Sequence, residues 1–265
     1  MWKVVILICV SMCHYSTTNN VTANSDRNLL IVNGTVITIN ERPYQVALNF
    51  HYIPFIYADF VCGGVIIGKK WILTAAHCLD KAKVVRAGTS CSTWWGKMFN
   101  MKETYVHPNY TRVPLRNDVA ILELDEDIEY SDEIQPIEMM TGLEKIPDNE
   151  DDYEIVVSGY GLPSFKSKEE DCGLKKIVVK TISRDECKQH YKTLLDNQIC
   201  AINKTSSTCQ GDSGGPLTMT AWDNGKIKLF LMGISSFGDD CKVNEPMVFS
   251  YIPSFLGWIK YITKL

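Results

Sequence analysis

Residues Thr208–Leu217 read TCQGDSGGPL, and the reading of this stretch decides the reading of the chain. One serine, Ser213, sits among Gly211, Gly214 and Gly215, directly after the acid Asp212. Glycine lets a backbone adopt conformations closed to other residues and come close to a bound group. A serine hydroxyl is a poor nucleophile until a base takes its proton, and that base is most often a histidine oriented by a carboxylate. A glycine-rich turn that merely contains a serine would look the same in isolation. The rest of the chain has to supply the base and the acid.

Bulk composition bounds the answer. The 265 residues, 45% hydrophobic and 22% charged, can bury a core in one large domain or two small ones. A net charge of −4 leaves no broad basic surface, which argues against nucleic acid as a partner. At the N-terminus, Lys3 precedes a short apolar run from Val4 to Val10, followed by small and polar residues. That is the pattern of a secretory signal, too short to span a bilayer. It is expected to end near Ser16, and no later segment is apolar and long enough for a membrane helix.

Of ten cysteines, Cys9 and Cys13 fall inside the signal. Eight remain: Cys62, Cys78, Cys91, Cys172, Cys187, Cys200, Cys209 and Cys241. An even number in a secreted chain reads as disulfides, although eight cysteines allow 105 pairings. The chain has neither a Cys-x-x-Cys pair nor a His-x-x-x-His pair, so no zinc site is expected. Sequons at Asn20, Asn33, Asn109 and Asn203 permit glycosylation in that compartment.

Short β-branched runs recur along the chain: YQVALNF, GVIIGKKWILTA, DVAILEL, YEIVVSG, KKIVVKTI, KLFLMGISS and MVFSYI. Gly, Pro, Asn and Asp punctuate them, and PDNEDDYE reads as a solvated loop. Many short strands with turn signals predict an all-β barrel or sandwich. The tail differs. Phe255, Ile259 and Ile262 keep helical spacing, with Pro253 and Ser254 at the start, so the chain is expected to end in a helix capped by Ser254.

GDSGG satisfies G-x-S-x-G, the nucleophile elbow of α/β-hydrolases. That fold needs its histidine after the serine. All five histidines, at positions 14, 51, 77, 107 and 190, precede Ser213, so the order excludes it. His77 stands out by its company. CGGVIIGKKWILTAAHC, RNDVAILEL, CQGDSGGPL and GISSFG follow one another in that order. These blocks resemble those of the chymotrypsin/trypsin family of secreted serine proteases. IVNG followed by PYQVAL is similar to the start of the mature family enzyme, so the likeness covers residues 31–265.

The resemblance implies two packed six-stranded antiparallel β-barrels with a C-terminal helix. It implies residues 1–16 as signal, 17–30 as activation propeptide and 31–265 as a secreted, monomeric protease domain acting on proteins or peptides, without a cofactor. It assigns His77 as general base, Asp118 as orienting acid and Ser213 as nucleophile, with the Gly211 and Ser213 amides as the oxyanion hole. Asp212 is expected to pair with a new amino terminus at Ile31, so the uncut chain should be a poorly active zymogen. By the same matching, Cys62–Cys78, Cys187–Cys200 and Cys209–Cys241 are expected bridges. Cys91 and Cys172 are left over in neighbouring loops and are expected to pair. The family's calcium loop would fall near GTSCSTWWGK, which has no acid, so no bound metal is expected.

Two departures from the family pattern stand out. Leu30, not Arg or Lys, precedes Ile31, and a tryptic cut after Arg27 would leave an extension. The activating protease is therefore expected to be non-tryptic, and a papain-like cysteine protease suits Leu29. The specificity pocket is expected from Ser207, Thr208, Ser236, Phe237, Gly238 and Met247. Ser207 makes its floor neutral. Met247 stands where the family has glycine and is expected to fill the pocket. Tyr160 and Phe237 replace two tryptophans. Two readings follow from these residues: an endopeptidase with a shallow neutral pocket, or a protease-like binding protein, a decoy or inhibitor of proteolysis, whose pocket Met247 blocks.

Overall fold

The structure, a computed structural model, describes residues 30–50, 60–144, 153–161, 172–223, 225–239 and 241–265. The expected signal segment, the propeptide up to Leu29, the Asn20 sequon and most of the PDNEDDYE loop lie outside them.

Two closed antiparallel barrels of six strands each build the molecule, as the sequence predicts. Around the first ring come Gln45–Asn49, Phe60–Gly68, Trp71–Thr74, Ala120–Leu124, Lys97–Val106 and Val84–Ala87, which returns to the first strand. Around the second come Lys175–Ile182, Ile155–Gly159, Pro216–Asp223, Lys226–Phe237, Met247–Tyr251 and Gln198–Ile202, which pairs back with the first of them. Closure removes free strand edges. Each barrel holds its own core. Val46, Leu48, Val65, Ile66, Ile72, Leu73, Val85, Phe99, Ile121 and Leu122 fill the first. Val157, Ile177, Val179, Leu217, Met219, Met247 and Phe249 fill the second.

Four barrel strands lie outside the β-branched runs picked out in the sequence: Val84–Ala87, Lys97–Val106, Gln198–Ile202 and Pro216–Asp223. Lys97–Val106 (KMFNMKETYV) is polar and half exposed, and its pairing with Ala120–Leu124 and Val84–Ala87, rather than propensity, makes it a strand. Gln198–Ile202 is held by neighbours on both sides. A helix at Arg184–His190 was also outside the sequence reading. Ser183 caps it by accepting from the Glu186 amide, the S-x-x-E signature of a helix start.

The C-terminal helix runs from Leu256 to Thr263, and Phe255 and Ile259 bury it against the first barrel. Ser254 does not cap it. A 3₁₀ turn over Ile252–Phe255, with Pro253 in its first positions, comes first, so Ser254 lies inside that turn and Phe255 becomes the cap residue.

Four disulfides close the framework: Cys62–Cys78, Cys91–Cys172, Cys187–Cys200 and Cys209–Cys241. Around Cys91–Cys172, the Ser92 amide donates to Cys172 O at 2.9 Å and the Leu174 amide donates to Ser90 O at 2.8 Å. This seam ties a loop of the first barrel to the opening strand of the second. A second seam matters more for chemistry. The Gly63 amide, in the first barrel, donates to Ser213 O at 2.8 Å, and the Gly214 amide donates to Ser235 O at 2.8 Å. Ser213 is thereby held where the barrels meet.

Candidate active site

Three elements bring the sequence-selected residues together. The buried strand Trp71–Thr74 runs out into a 3₁₀ turn, Ala76–Asp80, which presents His77. The Cys62–Cys78 bridge anchors that turn to strand Phe60–Gly68. Asp118 lies just ahead of strand Ala120–Leu124 and is fully buried. Asp118 Oδ2 lies 2.7 Å from His77 Nδ1, and its Oδ1 accepts the His77 backbone amide at 3.0 Å. Ser236 Oγ donates to the same Oδ2 at 2.6 Å. The Ser250 hydroxyl donates to the Asp118 carbonyl at 2.8 Å. A carboxylate accepting from Nδ1–H leaves Nε2 as the basic nitrogen of the ring. Among the described residues no hydrogen bond yet joins Ser213 Oγ to that nitrogen, which lies 3.8 Å from Cys78 Sγ.

Ser213 stands in the loop before strand Pro216–Asp223, half exposed. Gly211 has φ of +96°, and a Cβ there would press on Phe60 Cε1 at 2.6 Å. Both facts demand glycine. Among the described residues, neither the Gly211 nor the Ser213 amide spends its hydrogen on a protein acceptor. Two donors beside one hydroxyl are what a developing oxyanion needs.

Asp212 points the other way, into the protein, and is buried. Its Oδ1 accepts the Gly161 amide at 2.9 Å and its Oδ2 accepts the Cys209 amide at 2.8 Å. Burial pushes its carboxyl up to about 7, against the pull of those two amides and of Lys175. Ile31 is also fully buried, in the core of the second barrel, with its nitrogen 3.4 Å from Gly161 O.

A cavity of about 190 Å³ opens beside Ser213. Ser207, Thr208, Ser236, Phe237 and Gly238, residues selected from the sequence for a specificity pocket, are among those that line it. Met247 is not one of them. Its side chain turns into the core of the second barrel, where Sδ accepts the Thr208 amide at 3.3 Å. Met247 Cγ also lies 3.9 Å from the point that a Cβ on Gly238 would occupy, so its buried side chain touches the Thr208 and Gly238 backbones, both of which line the cavity. Gln210, Ser235 and Asp239 also line the cavity, and the sequence reading missed them. The Asp239 carboxylate accepts from Lys242 Nζ at 2.6 Å. Cys62, His77 and Cys78 cluster closely enough to suggest a metal, but both sulfurs are spent in a disulfide.

Residues 31–259 match the profile of the family described as Trypsin. The chain belongs to the trypsin family of serine proteases. Similar proteins include chymotrypsin-2 of Vespa crabro, 33% identical over 236 residues, covering 87% of this chain and 98% of the relative. Trypsin 5G1 of Aedes aegypti is 31% identical over 244 residues, covering 89% and 85%. Vitamin K-dependent protein C of Rattus norvegicus is 34% identical over 245 residues, 86% of this chain but only 50% of the relative. In this trypsin-family chain the two replaced tryptophans keep ring partners. Tyr160 packs edge-on to Phe60 and donates its hydroxyl to Thr89 O at 2.7 Å, and Phe237 packs edge-on to Tyr191. No helix among the described residues is long and apolar enough to cross a membrane.

Proposed function

We propose that the chain is a secreted serine endopeptidase, made as a zymogen, with a neutral pocket for small side chains. The observation that carries this reading is the convergence of His77 Nδ1 and Ser236 Oγ on one buried oxygen of Asp118, beside two unspent amides. In the reaction, Ser213 Oγ attacks the peptide carbonyl while His77 Nε2 takes its proton. The carbonyl π electrons move to oxygen, and the oxyanion is held by the Gly211 and Ser213 amides. The C–N bond then breaks, with the proton on Nε2 passing to the leaving amine. Water attacks the acyl-serine by the same steps in reverse. Asp118 stays ionised throughout and stabilises the imidazolium. Substrate closure brings Ser213 Oγ and Nε2 within hydrogen-bond reach, as often happens only in the bound complex.

Activation follows from Asp212. A cut between Leu30 and Ile31 frees an ammonium next to Gly161, the residue whose amide already binds Asp212. The Leu30 side excludes a tryptic activator. The eight paired cysteines and the exposed sequon residues Asn33 and Asn109 suit secretion and glycosylation.

Ser207 supplies a neutral floor, and the cavity is smaller than the roughly 300 Å³ at which drug-sized sites begin, so one small apolar side chain fits. The rival reading, a binding protein without turnover, rests on Met247, whose buried side chain lies against the Thr208 and Gly238 backbones of the cavity wall. A peptide library incubated with the form beginning at Ile31 tests the choice. Cleavage after small apolar residues, absent from Ser213→Ala, is expected. Met247→Gly should extend cleavage to aromatic residues by about tenfold or more, since each methylene accommodated is worth about 1 kcal/mol. No cleavage by the folded protein would favour the binding-protein reading.

A further inference from the structure

N-glycosylation needs the tripeptide Asn-x-Ser/Thr, and three such tripeptides lie among the described residues, starting at Asn33, Asn109 and Asn203 and ending at Thr35, Thr111 and Thr205. The transfer joins Asn Nδ2 to the anomeric carbon of an oligosaccharide carried on a lipid diphosphate. The N–C bond forms as the C–O bond to the diphosphate breaks. The diphosphate leaves with that electron pair, and Nδ2 releases one proton to solvent. The asparagine then carries a bulky, solubilising sugar. A substituted amide keeps the trans form, which sets the sugar on the same side of the Cγ–Nδ2 bond as Oδ1. A folded chain therefore tolerates the sugar only where Nδ2 and the flank of Oδ1 are both open.

Asn203 fails on both counts. Its Nδ2 donates to Val178 O at 2.7 Å. Its Oδ1 accepts the Thr205 amide at 2.8 Å, the Thr205 hydroxyl at 3.1 Å and the Ser206 amide at 2.8 Å. Asn33 is exposed, but its Nδ2 faces the same turn and donates to Thr205 O at 2.7 Å. The Ser206 hydroxyl donates back to Asn33 O at 3.3 Å, and the Ser207 amide donates to Val32 O at 3.4 Å. The two asparagines thus clasp the segment after Ile31 to the turn that leads to Ser207, a residue of the cavity wall. Asn109 differs. Its backbone is pinned, the amide donating to His107 Nδ1 at 3.3 Å and the carbonyl accepting from Asn117 Nδ2 at 2.7 Å. The residue is exposed, and its side-chain amide makes no hydrogen bond among the described residues.

We propose that Asn109 is the N-glycosylated residue of the protease domain and that Asn33 and Asn203 stay bare. This inference rests on the secretion reading given above. A sugar on Asn203 would displace the donors around its Oδ1, and one on Asn33 would press on Thr205 O. Either loosens the clasp beside the cavity, so the folded chain carries neither. A sugar on Asn109 displaces nothing. It stands at the foot of the hairpin formed by Thr111–Arg112 and Leu115–Arg116, which Arg112 ties by an ion pair to Asp80 at the end of the His77 turn.

Site occupancy in the secreted protein tests this. The full chain is expressed with its own N-terminus in a eukaryotic cell line and collected from the medium. Peptide N-glycosidase in heavy-oxygen water then turns each glycosylated asparagine into a labelled aspartate, read by mass spectrometry. Asn109 should be labelled at least tenfold more than Asn33 or Asn203. Asn109→Gln and Thr111→Ala should each lower the intact mass by one glycan, while Thr111→Ser, which keeps the sequon, should retain it. The inference is overturned if the secreted wild type carries a bare Asn109, or if Asn33 or Asn203 is labelled to within tenfold of Asn109. A chain found only inside the cell and without any glycan would remove the secretion reading itself, and this inference with it.

Discussion

Asp118 and Asp212 are both sealed from solvent, at 0% and 1% exposure, yet they are furnished differently. Asp118 receives three donors: the His77 ring, the His77 amide and the Ser236 hydroxyl. Asp212 receives two backbone amides, and burial raises its carboxyl to about 7. A buried carboxylate costs stability unless it is both hydrogen-bonded and answered by charge. Asp118 sits against His77, the ring that gains a positive charge in the proposed reaction. Asp212 awaits, in our reading, the ammonium of Ile31. In the proposed function, one acid serves the chemistry, and the other serves the shape of the loop that carries it.

Breaking the Asp118 side should have the largest effect. Asp118→Asn keeps the shape but presents an amide to Nδ1, favouring the wrong tautomer, and should lower kcat by about 10⁴-fold. Steady-state ester hydrolysis by the form starting at Ile31 reads it; a loss under tenfold would remove Asp118 from the mechanism.

The Asp212 side is sharpened by pH. Its folded value, about 7, lies above the ordinary 3.8. Between those values this group binds more protons in the folded state than in the unfolded one, so its own contribution to stability is full below about pH 4 and is lost as pH rises to 7. Denaturant unfolding of the uncut chain should lose up to about 4 kcal/mol from this group across that window. Asp212→Asn should flatten the loss. The cut form, with an ammonium to lower the carboxyl, should lose less than the uncut form. An identical slope in all three would break the comparison.

The smallest effect concerns the third donor to Asp118. Ser236→Ala removes one hydrogen bond to a charged group, worth about 1.5 kcal/mol, and should lower kcat about tenfold with little change in KM. A change confined to KM would make Ser236 a pocket residue only.

Much of this was legible in the sequence because the motifs are local. The order of His77, Asp118 and Ser213, the run of β-branched strands and the neutral Ser207 are all linear facts. What was not legible depends on side-chain direction or on partners distant in sequence. Met247 could be aligned to a position in the sequence, but only packing shows its sulfur against the Thr208 amide. Lys97–Val106 is a strand by virtue of its neighbours. Lys175 is buried, opposite Gly159 in the sheet, although nothing in the run KKIVVKTI marks it as a core residue. Ser236, read as pocket lining, also touches Asp118, 118 residues away. The Ser183–Glu186 cap is the exception, a local signal that was there to be read.

The most direct test of the central claim is covalent labelling of Ser213 in the protein beginning at Ile31, with a fluorophosphonate small enough not to need the specificity cavity. The account predicts a single phosphonylated peptide containing Ser213, absent from Ser213→Ala and strongly reduced in His77→Ala. A folded protein that takes up no label at Ser213 would contradict it and leave the fold with a binding role alone.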